Sequence, residues 1–249
     1  MTRTALITGA TSGIGRATAF EFAKNNINLI ICGRREDRLE TIKTALEKST
    51  NVHTLCFDVR NHEAVKEAIS SLPEAFSKID ILINNAGNAH GLDPIETGTI
   101  EDWDAMMDIN VKGLLYVSKA VIPQMTKRQS GHIINIGSSA GKEVYPKGNV
   151  YCASKHAVLA ITEGMRIDLN PYGIKVGAIN PGMVETEFSQ VRFKGNEAAN
   201  NVYTGFKALQ ADDIAEIIQF VISRPSHVNI ADLLVFCTAQ ASSTIVKKD

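Results

Sequence analysis

From one end of the chain to the other, short apolar runs of strand length alternate with amphipathic stretches of helical length. This alternation restricts the possible folds more than any other feature. Ala5-Leu6-Ile7 is followed by glycines and a helix through Phe20 and Phe22. Asn28 to Cys32 leads into a charged helix from about Glu36 to Lys48, and His53 to Phe57 into one from about His62 to Leu72. Ile79 to Ile83 ends in Asn84-Asn85-Ala86-Gly87, before a long helical region over about Ile100 to Arg128. Gly131 to Ile136 makes a fifth strand, Tyr151 to about Leu169 a helix closed by Pro171 and Gly173, and Lys175 to Ile179 a sixth strand. The last clear helix spans about Asp212 to Ser223, and Leu233 to Cys237 makes a closing strand. Strands that are apolar at nearly every position are buried on both faces, as happens when helices cover a parallel sheet. Right-handed crossovers then give a Rossmann-type doubly wound α/β sheet of about seven strands. Without repeats or a low-complexity linker, the expectation is one domain over residues 1–249. Its one long irregular segment, about 181–205, is expected to be mobile and functional.

The bulk numbers exclude more than they assign. In 249 residues, 44% are hydrophobic, 21% are charged and the net charge is −1, which gives no footing for a nucleic-acid or anionic-membrane partner. Cys32, Cys56, Cys152 and Cys237 form no CxxC pair and no zinc spacing; they read as reduced thiols, three of them in apolar strands, with no metal site. Met1-Thr2-Arg3 runs straight into the first strand with no signal-peptide pattern, and no apolar run reaches the ~20 residues of a membrane span. A cytoplasmic location is the expectation.

Between the first strand and the first helix lies Thr8-Gly9-Ala10-Thr11-Ser12-Gly13-Ile14-Gly15. Glycines at 9, 13 and 15 let the backbone turn sharply and approach a pyrophosphate, which the positive end of a helix attracts. Thr11, Ser12 and Ile14 complete the candidate phosphate loop. An NAD site usually carries a carboxylate ~20 residues beyond such a loop, on the ribose 2′-hydroxyl. Here Ile31-Cys32-Gly33 runs instead into Arg34-Arg35, with Glu36 and Asp37 only in the helix that follows. Two guanidiniums suit a 2′-phosphate, so NADP is expected over NAD, unless the pair is solvated helix-start charge.

The chemistry is expected at Tyr151-Cys152-Ala153-Ser154-Lys155. Residues i and i+4 share a helical face, so the Tyr151 phenol and Lys155 ammonium can serve one site. A nearby cation is expected to lower the phenol pKa toward neutrality, making a proton acceptor for alcohol oxidation and a donor for carbonyl reduction. Ser138 ends the fifth strand 13 residues before Tyr151, where its hydroxyl can hold a substrate oxygen; Ser139 is the competing serine. Asn110, inside the long helical region, needs a partner if buried, and a kink or water there would relay protons to Lys155.

The GxxxGxG loop and these four residues, each on a motif and in order over nearly the whole chain, resemble the short-chain dehydrogenase/reductase family. The resemblance implies an oxidoreductase with Asn110, Ser138, Tyr151 and Lys155 as catalytic tetrad, Tyr151 and Lys155 also touching the cofactor. It implies adenine contacts at Asp58 and Val59, a cofactor-binding turn at Asn85, Ala86 and Gly87, and a nicotinamide clamp at Pro181, Gly182, Val184 and Thr186. It also implies a homotetramer built through the helices after strands four and five. The segment from Thr186 to Gly195, Tyr145-Pro146 and the stretch from Arg224 to Ile230 are similar to a subgroup of NADP-dependent 3-hydroxy acid dehydrogenases, which act on serine, L-allo-threonine and related short acids.

A small carboxylate substrate needs a cation. Arg192 and Lys194 are the candidates, or else they are solvated loop charges or pair with a neighbouring subunit; Tyr145 and His90 are further pocket candidates. A broad carbonyl reductase, or a nucleotide-binding regulator without catalysis, is the alternative. Residues 242–249 are polar and are expected to fray or to reach a neighbouring subunit.

Overall fold

Alternate residues of each inner strand point to opposite faces of one sheet, and each face carries its own core. In the computed structural model, Ala5, Ile7, Leu29, Ile31, Ile81 and Ile83 pack one way, Leu6, Ile30 and Leu82 the other. Each side chain of this kind, fully buried, contributes roughly 1.5–3 kcal/mol of transfer free energy. The structure describes residues 2–249; Met1, where the expected single domain begins, lies outside the described residues.

The strands of the main sheet are β1 (Thr4–Thr8), β2 (Asn28–Gly33), β3 (Val52–Cys56), β4 (Ile81–Asn84), β5 (Gly131–Ile136), β6 (Ile174–Pro181) and β9 (Asp232–Val235). They lie in the order β3-β2-β1-β4-β5-β6-β9, and every neighbouring pair is parallel. On the first face pack α1 (Gly13–Lys24), α2 (Glu36–Leu46) and α8 (Ala211–Ile222), through Phe22, Leu39 and Ile214 among others. On the second pack α3 (His62–Ser70), α5 (Leu114–Arg128) and the far end of α6 (Asn149–Leu169), through Val65, Val117 and Leu169. Strand order reverses between β1 and β4, and ligands of doubly wound sheets bind outside the strand ends at that reversal.

Three sequence expectations change. The helix expected from about 100 to 128 is broken into α4 (Ile100–Met107), a π-helical turn (Asp108–Gly113) and α5. Apolar periodicity does not register one extra residue per turn, and such turns mark functional sites. Segment 181–205 holds a two-residue strand β7 (Val184–Glu185), paired in parallel with β8 (Leu209–Gln210), and a short helix α7 (Phe188–Arg192). Residues 242–249 are folded back: Lys247 N–H donates to Ala239 O, Ser243 N–H to Glu143 Oε2 and Asp249 N–H to Gly205 O. The segment, read from its polarity as fraying, is held by main-chain N–H groups. All four thiols are free; Cys56 is exposed at the end of β3, and Cys237 lies just beyond β9.

Candidate active site

The loop between β1 and α1 is sewn to the end of β4. Thr8 Oγ1 accepts the N–H groups of Asn85 and Ala86, each at 3.0 Å, and Asn85 Nδ2 donates to Thr8 O at 2.9 Å. Gly13 has φ +50°, and a Cβ there would meet Thr186 Cγ2 at 3.3 Å, so the loop touches the segment after β6. Gly15 does not line the cavity as expected. It lies behind the loop, where a side chain would collide with the Asn85 amide and the Gly9 carbonyl. Ser12, the N-cap of α1, makes no capping bond, and no acidic residue stands in the first turn. The positive end of α1 therefore faces the cavity without a protein anion on it.

At the end of β2 the arginines divide. Arg34 leans on Asp58 at 3.6 Å. Burial pushes the Asp58 carboxyl up, but hydrogen bonds from Arg60 and the charge of Arg34 outweigh it and hold the group below its usual range. Arg35 donates through Nη2 to Thr11 Oγ1 at 2.9 Å and Ser12 Oγ at 3.1 Å, and through Nη1 to Glu187 Oε2 at 3.1 Å. Arg38 donates to the other Glu187 oxygen at 2.7 Å.

The residues expected to carry the chemistry sit on α6 and beside it. Tyr151 and Lys155 are 8% and 7% exposed, one helical turn apart. Lys155 Nζ donates to Ile136 O at 3.0 Å, and burial lowers its pKa to about 8. The expected lowering at Tyr151 does not occur: burial, then Tyr145, push the phenol above its usual range. The Ser138 hydroxyl and the Arg192 charge only oppose this, while Lys155 Nζ stands 6.0 Å from the ring centroid, turned to a carbonyl. Ser138 and Ser139 both line the cavity, and Ser138 Oγ accepts the Ala140 N–H at 3.1 Å.

Asn110 stands in the π-helical turn, 2% exposed. Its amide donates to Asn88 O at 2.8 Å and Ser154 Oγ at 3.0 Å, and its oxygen accepts Asn88 N–H at 2.9 Å. A Cβ at Gly87 would lie 2.9 Å from Asn110 Oδ1, so a side chain there would displace the Asn110 amide.

Arg192 and Lys194 part company. The Arg192 guanidinium carbon lies 5.5 Å from the ring centroids of both Tyr145 and Tyr151. Arg192 also donates to Gly91 O at 3.1 Å and Tyr145 OH at 2.9 Å. Lys194 does not line the cavity and pairs with Asp102 at 3.0 Å, so the structure does not bring it together with the other candidates. His90 also lies outside, against a small separate hollow.

One cavity of about 680 Å³ joins these groups. Its wall runs from Gly9, Thr11, Ile14, Arg34, Arg35, Asp58 and Val59, past Asn85, Ala86 and Gly87, to Ser138, Tyr145, Tyr151, Lys155 and Arg192, under Pro181, Gly182, Val184 and Thr186. Sequence reasoning missed Glu187, Phe188, Gln240, Ser243 and Lys248, which also line it. Arg38 carried a signal, one helical turn after Arg35. The tail residues carried none. Among the described residues, no cluster of His, Cys, Asp or Glu could hold a metal, and no helix is long and apolar enough to cross a membrane.

Comparison with known proteins places the chain in a family. The chain is 46% identical over 227 residues to the NADP-dependent 3-hydroxy acid dehydrogenase YdfG of Salmonella typhi, covering 90% of this chain and 91% of the relative. It is 45% identical over 240 residues to sulfoacetaldehyde reductase 2 of Chromohalobacter salexigens, covering 96% and 95%. The closed form of a serine dehydrogenase complexed with NADP+ superposes with a TM-score of 0.93 at 41% identity, covering 99% of both chains. Residues 3–197 match the family described as short chain dehydrogenase. The chain belongs to the short chain dehydrogenase family.

Proposed function

We propose that this chain is an NADP-dependent oxidoreductase acting on short 3-hydroxy acids and the corresponding oxo acids. The Arg192 guanidinium, held over the Tyr151 ring at the wall of the cavity, carries this reading. Among the described residues no carboxylate pairs with Arg192, so its remaining N–H donors can take an anion forked. The names of the relatives support the same chemistry: a 3-hydroxy acid and sulfoacetaldehyde each place an acidic group one carbon away from the reacting carbon.

The cavity suits an elongated anionic dinucleotide. Its volume falls within the ~300–1,000 Å³ of cofactor sites. The uncapped positive end of α1 would take the pyrophosphate, Arg34 and Arg35 the 2′-phosphate, Asp58 and Val59 the adenine. Asn85, Ala86, Gly87, Pro181, Gly182, Val184 and Thr186 would hold the nicotinamide half. NADP, when bound, supplies the hydride acceptor for oxidation and, reduced, the donor for reduction.

The remaining work falls to side chains of this chain. Ser138 holds the substrate oxygen. Tyr151 passes the proton to that oxygen in reduction and removes it in oxidation. Burial keeps the resting phenol protonated, the form that reduction needs. Lys155, fixed by Ile136 O, brings a positive charge under the site. Asn110 fixes Asn88 and Ser154, the wall beside Lys155. Segment 181–205, within one domain, is the part that moves. We read the protein as a cytoplasmic homotetramer.

The test is initial rates with L-serine, L-allo-threonine, 3-hydroxypropionate, 2-hydroxyethanesulfonate and a neutral secondary alcohol, offering NADP and NAD in parallel. The acids should turn over with NADP. Arg192→Ala should lower kcat/KM for them about 100-fold while changing the neutral alcohol less than about threefold. Preference for the neutral alcohol would leave a general carbonyl reductase. Preference for the sulfonate, favoured by the sulfoacetaldehyde reductase relative, would keep the anchor and change the acid.

A further inference from the structure

Between β6 and β7 the main chain turns at Gly182 and Met183, both on the cavity wall. Gly182 N–H donates to Val235 O at 2.7 Å, and Met183 O accepts the Leu209 N–H at 3.1 Å. The Met183 N–H goes instead to a side chain, Gln240, whose Oε1 accepts it at 2.8 Å. Gln240 is 5% exposed, and its Nε2 donates to Ser242 O at 3.0 Å, so oxygen and nitrogen of one buried amide are both engaged. A Cβ at Gly182 would collide with Gln240 Oε1 and stand 2.6 Å from Phe236 Cδ1, so the amide reaches Met183 only because residue 182 has no side chain. The base that carries Gln240 is a small hairpin. Gln240 bridges Val246 antiparallel, Ala241 N–H donates to Ile245 O at 2.9 Å, and Lys247 N–H donates to Ala239 O at 2.8 Å. Ser243 N–H to Glu143 and Asp249 N–H to Gly205 O anchor this hairpin to two other parts of the chain.

We propose that Gln240 is a positioning residue for the nicotinamide: by accepting the Met183 N–H from the C-terminal hairpin, it fixes the turn at residues 181–184 against which the ring is held. The inference rests on the reading of that turn as part of the nicotinamide wall. The peptide between Gly182 and Met183 cannot rotate without breaking the bond to Gln240, and rotation would carry Gly182 and Val184 with it. The Gln240 amide is in turn held by Ser242 O, so the turn takes its setting from the hairpin as well as from the strands beside it. Hydride transfer is sensitive to small misplacements of the reacting carbon, which gives such a support its value. The last ten residues of the chain therefore act on the chemistry through one side chain, while the rest of segment 181–205 moves from a fixed root.

Two variants of the full-length protein test this. Gln240→Met keeps the length and volume of the side chain and removes the acceptor, whereas Gln240→Glu keeps an acceptor oxygen. NADPH is titrated by its fluorescence, and adenosine 2′,5′-bisphosphate, which has no nicotinamide, by calorimetry. Gln240→Met should bind NADPH about three- to tenfold more weakly and lose most of the emission gain that an immobilised nicotinamide shows. Gln240→Glu should recover that gain and stay within about threefold of the parent in NADPH affinity. Both variants should bind the 2′,5′-bisphosphate within about twofold of the parent. If NADPH bound to the parent shows no emission gain, the nicotinamide reading of the turn fails and the proposal with it. If the parent shows the gain and Gln240→Met keeps it, or Gln240→Glu loses as much as Gln240→Met, the positioning role alone is wrong. Equal loss of both ligands in Gln240→Met would make Gln240 a support of the fold in general, which also overturns the proposal.

Discussion

The Tyr151 corner and the Arg35 corner open on one cavity from strand ends three places apart in the sheet, roughly 14 Å at ~4.8 Å per strand. They are held by different forces. Tyr151, Lys155 and Asn110 are all more than nine-tenths buried, and main-chain groups fix Lys155 and Asn110. Arg35, Arg38 and Glu187 are 40–48% exposed and fix one another through charge. The buried corner uses water exclusion to set proton affinities, and the structure around it allows one geometry. The exposed corner uses long, screened charges whose partners can be exchanged, which suits a group that comes and goes with the cofactor.

The comparison breaks first, and with the largest effect, at Tyr151. Tyr151→Phe should cut kcat about 10²- to 10⁴-fold, with cofactor affinity within about twofold in a fluorescence titration. A variant with a tenth of the parent rate would place the proton chemistry elsewhere.

Arg35→Ala should reduce the preference for NADP over NAD about 10- to 100-fold in kcat/KM, and added salt should erode the same preference in the parent. Salt should leave kcat at saturating cofactor unchanged. If it falls as steeply as the preference, the two corners are not physically distinct.

The pH profile separates them further. Burial brings Lys155 to about 8, so its ammonium is lost above that pH, and kcat/KM for reduction should fall about tenfold per unit beyond it. Cofactor affinity should stay level. Lys155 cannot produce this fall by unfolding the protein. Its folded pKa is depressed, so between about 8 and 10.5 the unfolded chain binds the extra proton, and stability from this group rises with pH. A flat activity profile to pH 9.5 would remove Lys155 from the proton chemistry.

The smallest effect belongs to Lys194, whose exposed pairing with Asp102 lies outside the cavity. Lys194→Ala should change kcat/KM for the hydroxy acids less than about twofold. A larger loss would return it to the substrate.

Period, order and local spacing made much of this molecule legible in advance. Apolar runs such as Asn28 to Cys32 can be satisfied only between two helical layers, and the sheet has that form. Glycines between β1 and α1, and a tyrosine and lysine four residues apart, state local geometry directly, since a helical turn or a tight loop is fixed by neighbours in sequence. The π-helical turn at Asn110 was not legible, because one added residue leaves the apolar pattern on both sides intact. Nor was the folding back of residues 242–249, whose bonds reach main-chain groups as distant as Gly205 and the Glu143 carboxylate.

By itself, then, the sequence determined the doubly wound sheet, the glycine loop, the paired arginines and the Tyr151–Lys155 face, all carried by neighbours within a few turns of one another. Tertiary structure alone decided that Arg192 enters the cavity while Lys194 leaves it, that Glu187 crosses to Arg35, and that burial raises the Tyr151 pKa. Charge partners and water exclusion depend on which residues distant in the chain come together, and spacing along one segment carries no record of them.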